Sequence, residues 1–243
     1  MGEVDTSNKN TPCGVFLLQA TMRESCVNCS SVDWGGTICP MEYLSKLFGS
    51  PARVKLLRLF VFNQELVLDR DMIAQMARVT PDTASKELLA IARADIITRK
   101  TFYKDATRPG SKATKKRKSI GWVLNQQYAH LEPLRRFLRE TLTVSYADVR
   151  KRLRGAGTIR LLVLSGFLIG EKDVGLDVLI VGNKLNETEI KTAMRSFEAE
   201  FGVELRYAVL STEDYQFRRR VRDKLVRDVM DFPHQALIDM IAE

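Results

Sequence analysis

The fold of the second half of this chain is decided by residues 164–181, which read LSGFLIGEKDVGLDVLIV. Apolar runs at Thr158–Leu164 and Leu176–Val181 predict two strands with a glycine-containing turn between them. A third apolar run at Val203–Leu210 predicts another strand, and Asn186 predicts the start of the helix that precedes it. The order of these elements indicates an α/β unit with a small mixed sheet.

This unit, over residues 157–243, resembles the nucleotidyltransferase fold, and Phe167, Gly170 and Glu171 fit the turn of that family's signature. The resemblance implies that the turn holds nucleotide phosphates and that an Asp-x-Asp pair on the second strand binds magnesium. It also implies a further carboxylate on a later strand. The positions that would carry the motif are Ser165, Gly166, Gly170, Gly175, Asp177 and Glu204.

The motif departs from the family's pattern at the positions that matter for catalysis. The Gly-Ser pair of the turn is reversed to Ser165-Gly166, and Gly175 stands where the first aspartate is expected. Asp177 is left alone, with Glu204 as the nearest match for the later carboxylate. Because two-metal phosphoryl transfer needs several carboxylates to hold its cations, we expect no catalytic residue, no metal and no cofactor in this domain.

Three helices are predicted upstream. The first follows Gly49-Ser50, with Pro51 at its first position. The second covers residues 69–77, with the aspartate at position 69 as its cap, and the third begins at residue 80 or 81. Helical spacing assigns an apolar face to the second and to the third helix. These faces consist of Met72, Ile73 and Met76, and of Leu88, Leu89 and Ile91.

Two predicted strands, at residues 96–103 and 119–124, follow the helices and flank a long loop rich in lysine and arginine. Helix, helix, helix and hairpin is the order of a winged helix-turn-helix. Residues 47–60, which read LFGSPARVKLLRLF, resemble the opening helix of ArsR/MarR-type bacterial regulators. The resemblance implies a transcriptional regulator that binds double-stranded DNA.

In such proteins the third helix meets base edges in the major groove, while the wing contacts the backbone or the minor groove. The formal net charge of +8 fits this role, because the basic excess is concentrated in the loop and extends to Lys104 and Arg108. The candidate DNA contacts are Arg78, Thr83, Ser85, Lys86, Lys112, Lys115, Lys116, Arg117 and Lys118.

The segment Leu131–Leu142 predicts an amphipathic helix, which either packs on a core or supports a homodimer. A basic run at residues 150–154 ends at Gly155-Ala156-Gly157, which predicts a helix stop. Beyond the third strand, Glu213–Ile241 reads as helical with a break near Pro233. We expect the arginines of that segment to form a solvated face.

All four cysteines lie in the first 40 residues. They include one Cys-x-x-Cys, which could supply half of a zinc site. We favour the alternative, in which these residues form a disordered extension without a metal, and we expect no disulfides in an intracellular protein. The cysteines concerned are Cys13, Cys26, Cys29 and Cys39.

The sequence as a whole predicts an α+β protein that is cytoplasmic, because no apolar run reaches bilayer-spanning length and no signal peptide opens the chain. We expect an extension at 1–40, a winged helix at 41–128, linker helices at 129–156 and a nucleotidyltransferase-like domain at 157–243. That last domain would bind a nucleotide or protein ligand, or hold a dimer. The alternative function is a metal-dependent, antitoxin-like nucleotidyltransferase that modifies a protein or RNA partner.

Overall fold

The computed structural model describes residues 40–107, 114–171 and 175–241, where the chain is of mixed α+β structure. The helix-hairpin half, residues 40–140, contains five helices and one hairpin. Its elements are α1 Pro40–Phe48, α2 Pro51–Phe62, α3 Arg70–Ala77, α4 Pro81–Arg93, β1 Ile97–Thr107, β2 Thr114–Leu124 and α5 Leu131–Glu140.

The starts of the three predicted helices are confirmed in α2, α3 and α4, and each is fixed by a side chain that caps it. Ser50 accepts the N–H of Arg53, Asp69 accepts that of Met72, and Thr80 accepts that of Thr83. Such caps satisfy backbone donors that a helix leaves unpaired at its first turn. The sequence therefore sets the beginning of each helix locally, before tertiary packing.

The core of the helix-hairpin half surrounds α2, which is buried along most of its length. α4 turns Ala84, Leu88 and Ile91 toward this core. Leu89 was expected to face inward with them, but it is 47% exposed. The reason is geometric: residues 84, 88 and 91 lie on one stripe of a helix with 3.6 residues per turn, and residue 89 falls outside it. Met76 of α3 is likewise exposed.

The amphipathic helix α5 packs its apolar side on the same core, through Leu131, Leu134, Phe137 and Leu138. Of the two roles predicted for this helix, the structure shows the core-facing one. The next helix, α6 Tyr146–Arg152, instead joins the second core through Val149.

The sheet half, residues 142–241, is built on a four-stranded mixed sheet with the order β5-β4-β3-β6. β3 runs antiparallel to both of its neighbours, and β4 and β5 are parallel. α6 and α7 cover one face of the sheet, and α8 and α9 cover the other. The remaining elements are β3 Thr158–Leu164, β4 Val178–Asn183, α7 Glu187–Phe201, β5 Tyr207–Ser211, α8 Thr212–Arg220, α9 Lys224–Asp231 and β6 Gln235–Asp239.

Two predictions for this half are wrong in detail. The third strand begins at Tyr207 and not at Val203, because residues 202–206 form the connection that leaves α7. The segment after Pro233 is a strand and not a helix: β6 pairs with β3, which has only β4 on its other side. Proline ends the preceding helix, and local periodicity does not reveal a pairing partner so distant in sequence.

The two halves contact each other where α2 meets the end of α7. Arg58 of α2 is 1% exposed and donates hydrogen bonds to the carbonyl oxygens of Glu200 and Thr141, both at 3.1 Å. Asn63 donates to the carbonyl oxygen of Gly202 at 2.6 Å. Gly202 has a φ of +74°, and a Cβ there would collide with the backbone of α2. Glycine at this position allows the close approach.

Among the described residues, no helix combines the length and the apolar character needed to cross a bilayer.

Candidate nucleic-acid interface and the turn at Asp177

The exposed face of α4 carries two cations. Lys86 and Arg93 are exposed and are seven residues apart, so they lie on the same side of the helix, opposite to its buried stripe. Thr83 and Ser85 are partly exposed, but their hydroxyls have partners within the helix. The Thr83 hydroxyl lies 2.8 Å from that of Thr80, and Ser85 donates to the Pro81 carbonyl oxygen at 2.9 Å.

Lys86 is therefore the strongest of the predicted contacts on this helix. Arg93 was missed by the sequence analysis, although its seven-residue spacing from Lys86 is the signal that would have found it.

Arg78 lies in the turn before α4, as expected. It ends α3 in the left-handed conformation, with φ 52° and ψ 52°, and it is exposed. It also lines a cleft between α3 and α7, together with Arg195. This second environment could not be inferred from the sequence, because it depends on the position of α7.

The hairpin is long and regular, with Ile97 opposite Leu124 and the pairing continuing to Thr107 opposite Thr114. Lys118 is exposed, and it lies opposite Tyr103, which is 69% exposed. Lys115, Lys116 and Arg117 belong to β2, but their side chains are not among those that the structure describes, and Lys112 and Arg108 lie outside the described residues.

Lys104 is engaged within the protein. Its Nζ lies 2.6 Å from a carboxylate oxygen of Asp69, the capping residue of α3. Burial acts to raise the pKa of Asp69, but the hydrogen bonds from Lys104 and from the Met72 N–H outweigh it and hold that pKa below its ordinary value. The ion pair ties β1 to the start of α3, so Lys104 anchors the hairpin.

Asp177, at the site that resembles the transferase motif, is 2% exposed and already saturated with donors. Its Oδ1 accepts from the Phe167 N–H at 2.9 Å and from Nη2 of Arg206 at 3.0 Å. Its Oδ2 accepts from the Arg206 backbone N–H at 3.0 Å and from Nε of Arg206 at 3.1 Å. A carboxylate offers about four lone-pair positions. All four are used, and Asp177 has the geometry of a structural residue.

The reversed pair in the turn follows from this arrangement. Ser165 is fully buried and donates its hydroxyl to the carbonyl oxygen of Leu176 at 2.7 Å. Gly166 has a φ of +54°, and a Cβ there would lie 2.5 Å from Oδ1 of Asp177. The turn therefore closes on the carboxylate, and position 166 requires glycine.

The other predicted motif residues supply little to a metal site. Gly170 ends the short 3-10 turn with a φ of +90°, and Gly175 has open space around it. Glu204 is exposed. A site for two divalent cations needs several free carboxylate oxygens, and the residues present do not fit that requirement.

No group of three His, Cys, Asp or Glu residues with metal-binding geometry occurs in the part of the chain that the structure describes. The four cysteines of the zinc alternative, Cys13, Cys26, Cys29 and Cys39, lie outside those residues.

Arg206 is the partner that the sequence analysis did not name. Its bond with Asp177 raises the pKa of its guanidinium. Arg206 lines a cleft of about 390 Å³ with Arg135 and Arg139 of α5 and with the ring of Phe167. The spacing of Arg206 from Asp177 gave no indication of this pairing, since the two residues meet only through the parallel contact of β4 with β5.

Comparisons of the sequence with protein-family models, with curated proteins and with solved structures found no match.

Proposed function

We propose that this protein is a DNA-binding transcriptional regulator. In this proposal the helix-hairpin half is a winged helix-turn-helix, with α4 in the major groove and the hairpin as its wing. The sheet half is a nucleotidyltransferase-like domain that does not catalyse transfer and serves in ligand binding or dimerisation.

The observation that carries the proposal is the exposed face of α4. Lys86 and Arg93 stand about two turns apart on it, as base or phosphate contacts along one groove require. Asp82, in the first turn of the same helix, is exposed and adds an acceptor of the kind that suits the amino group of cytosine. Lys118 and Tyr103 on the hairpin would extend the contact to the backbone.

A dimer would suit a two-fold operator. Because α5 uses its apolar side within the chain, the surface we propose for self-association is that of α1, where Tyr43 and Leu47 are exposed one turn apart.

The alternative of a metal-dependent nucleotidyltransferase is less well supported, because the donors around Asp177 take every position that a cation would use.

The proposal is tested by fluorescence anisotropy with a random-sequence DNA duplex at increasing salt. We expect binding that weakens steeply with salt, because lysines and arginines displace counterions from the phosphates. The double variant Lys86→Glu with Arg93→Glu should lower the affinity at least tenfold, about the loss of one or two charged contacts.

The matched control is Lys151→Glu with Lys191→Glu, which makes the same change in net charge at exposed positions of α6 and α7. Equal losses in the two double variants would show only a general charge effect and would contradict the assigned interface.

A further inference from the structure

A cleft of about 550 Å³ lies between the two halves, beside the turn that leads into α4. α3 contributes Met72 and Met76 to it, and the connection after α7 contributes Val203. Methionine side chains adapt to apolar ligands of different shapes. The volume is within the range of small-molecule sites in proteins.

Two guanidinium groups accompany this apolar lining. Arg78 at the end of α3 and Arg195 of α7 both line the cleft, and among the described residues neither takes part in an ion pair. Of the acidic residues that line it, Glu198 accepts the backbone N–H of Leu205 at 3.1 Å, and Glu204 is exposed, as are Arg78 and Arg195. The two carboxylates balance the two guanidinium groups in formal charge, but one oxygen of Glu198 is already bonded, whereas both guanidinium groups lack an ion-pair partner in the described part of the chain.

We propose that this cleft binds a small amphipathic anion, an organic acid with an apolar body. The acid group would pair with Arg78 and Arg195, and the apolar body would contact Met72 and Met76. The two arginines favour a ligand with a negative charge, and the methionines and Val203 favour a ligand with an apolar body.

The position of Arg78 gives the ligand a regulatory effect. This part of the inference rests on the proposed function and on Arg78, one of the candidate DNA contacts, which would reach a phosphate from the turn before α4. A guanidinium held by the ligand's acid group cannot make that contact, so ligand and DNA compete for it. Their mutual effect on affinity must be equal in both directions, because binding free energies are linked.

The first experiment measures binding of 1-anilinonaphthalene-8-sulfonate, which has aromatic rings and one anionic group, by its fluorescence with the full chain. Arg195→Glu should weaken binding at least tenfold, about the value of one charge-assisted contact. Arg195→Lys should retain most of it. Lys191→Glu, an exposed position on the same helix that does not line the cleft, should leave it unchanged. Circular dichroism melts establish that each variant is folded.

Equal affinity of wild type and Arg195→Glu for the dye would overturn the proposed site. The second experiment repeats the dye titration in the presence of saturating DNA duplex, where we expect weaker dye binding. When the dye is saturating, the affinity for DNA should fall by the same factor. An affinity for DNA that is unchanged by saturating dye would contradict the proposed competition. A protein that binds the dye through Arg195 but binds no DNA would refute the proposed function while leaving the anion site established.

Discussion

Arg206 supplies three of the four hydrogen bonds to the buried carboxylate of Asp177, two of them from its side chain. Arg206→Ala should therefore lower the free energy of unfolding by about 1–3 kcal/mol, less than for a fully buried pair because the arginine side chain is 52% exposed. Urea denaturation measures the loss. In a double-mutant cycle with Asp177→Asn, the two losses should sum to more than the loss of the double variant, because either change alone already removes the ion pair. Additive losses would contradict the pairing.

Asp69 links stability to pH. The pKa of Asp69 is lower in the folded state than in the unfolded chain, where an aspartate has a pKa of about 3.9. Ionised Asp69 therefore stabilises the folded state above that pH. This stabilisation is lost as the pH falls through the pKa of the folded state. Lys104→Met removes the main partner, so the pKa of Asp69 in the folded state should rise above its wild-type value. As the pH is lowered, the melting temperature of this variant should begin to fall at a higher pH than that of the wild type. Lys100→Met, an exposed neighbour on β1, should follow the wild-type profile.

At the scale of elements, α2 and the connection after α7 fit together only because position 202 is glycine. Gly202→Ala combines a strained φ with a collision against the α2 backbone, and we expect it to cost about 2–4 kcal/mol in urea denaturation. Gly155→Ala is the matched control, since its φ of +90° is similarly strained but no atom lies within 4 Å of the added Cβ. It should cost about 1 kcal/mol. Equal costs would show that contact with α2 is unimportant.

Local signals predicted the elements well, and tertiary contacts account for what was missed. The starts of α2, α3 and α4 were readable because Ser50, Asp69 and Thr80 act within their own turns. The role of Asp177 was not readable, because its partner Arg206 is 29 residues away, in the connection that leads into β5. β6 was missed for the same reason. The candidate DNA face was found at Lys86 but not at Arg93, where the helical spacing alone would have sufficed.

At the scale of the whole molecule, buried Arg58 of α2 joins the halves through its bond to the Glu200 carbonyl oxygen of α7, and its second bond goes to Thr141 at the end of α5. Burial lowers the pKa of its guanidinium to about 10. Arg58→Met should remove both donors while the carbonyls stay buried, at a cost of about 2–4 kcal/mol. Calorimetry should then show the halves unfolding in separate transitions. Arg58→Lys, which cannot span both acceptors in the same way, should lie between. A single unchanged transition would contradict this role for Arg58.

The pairing of β6 with β3 has a consequence for how the protein matures on the ribosome. The helix-hairpin half builds its core from one continuous segment. In contrast, β3 can pair with β6 only after almost all of the sheet half has been translated. Because domains fold as units and earlier ones fold first during synthesis, the helix-hairpin half can be structured while the sheet is still incomplete. Chains released prematurely would carry an unpaired edge of β3, which is a template for aggregation.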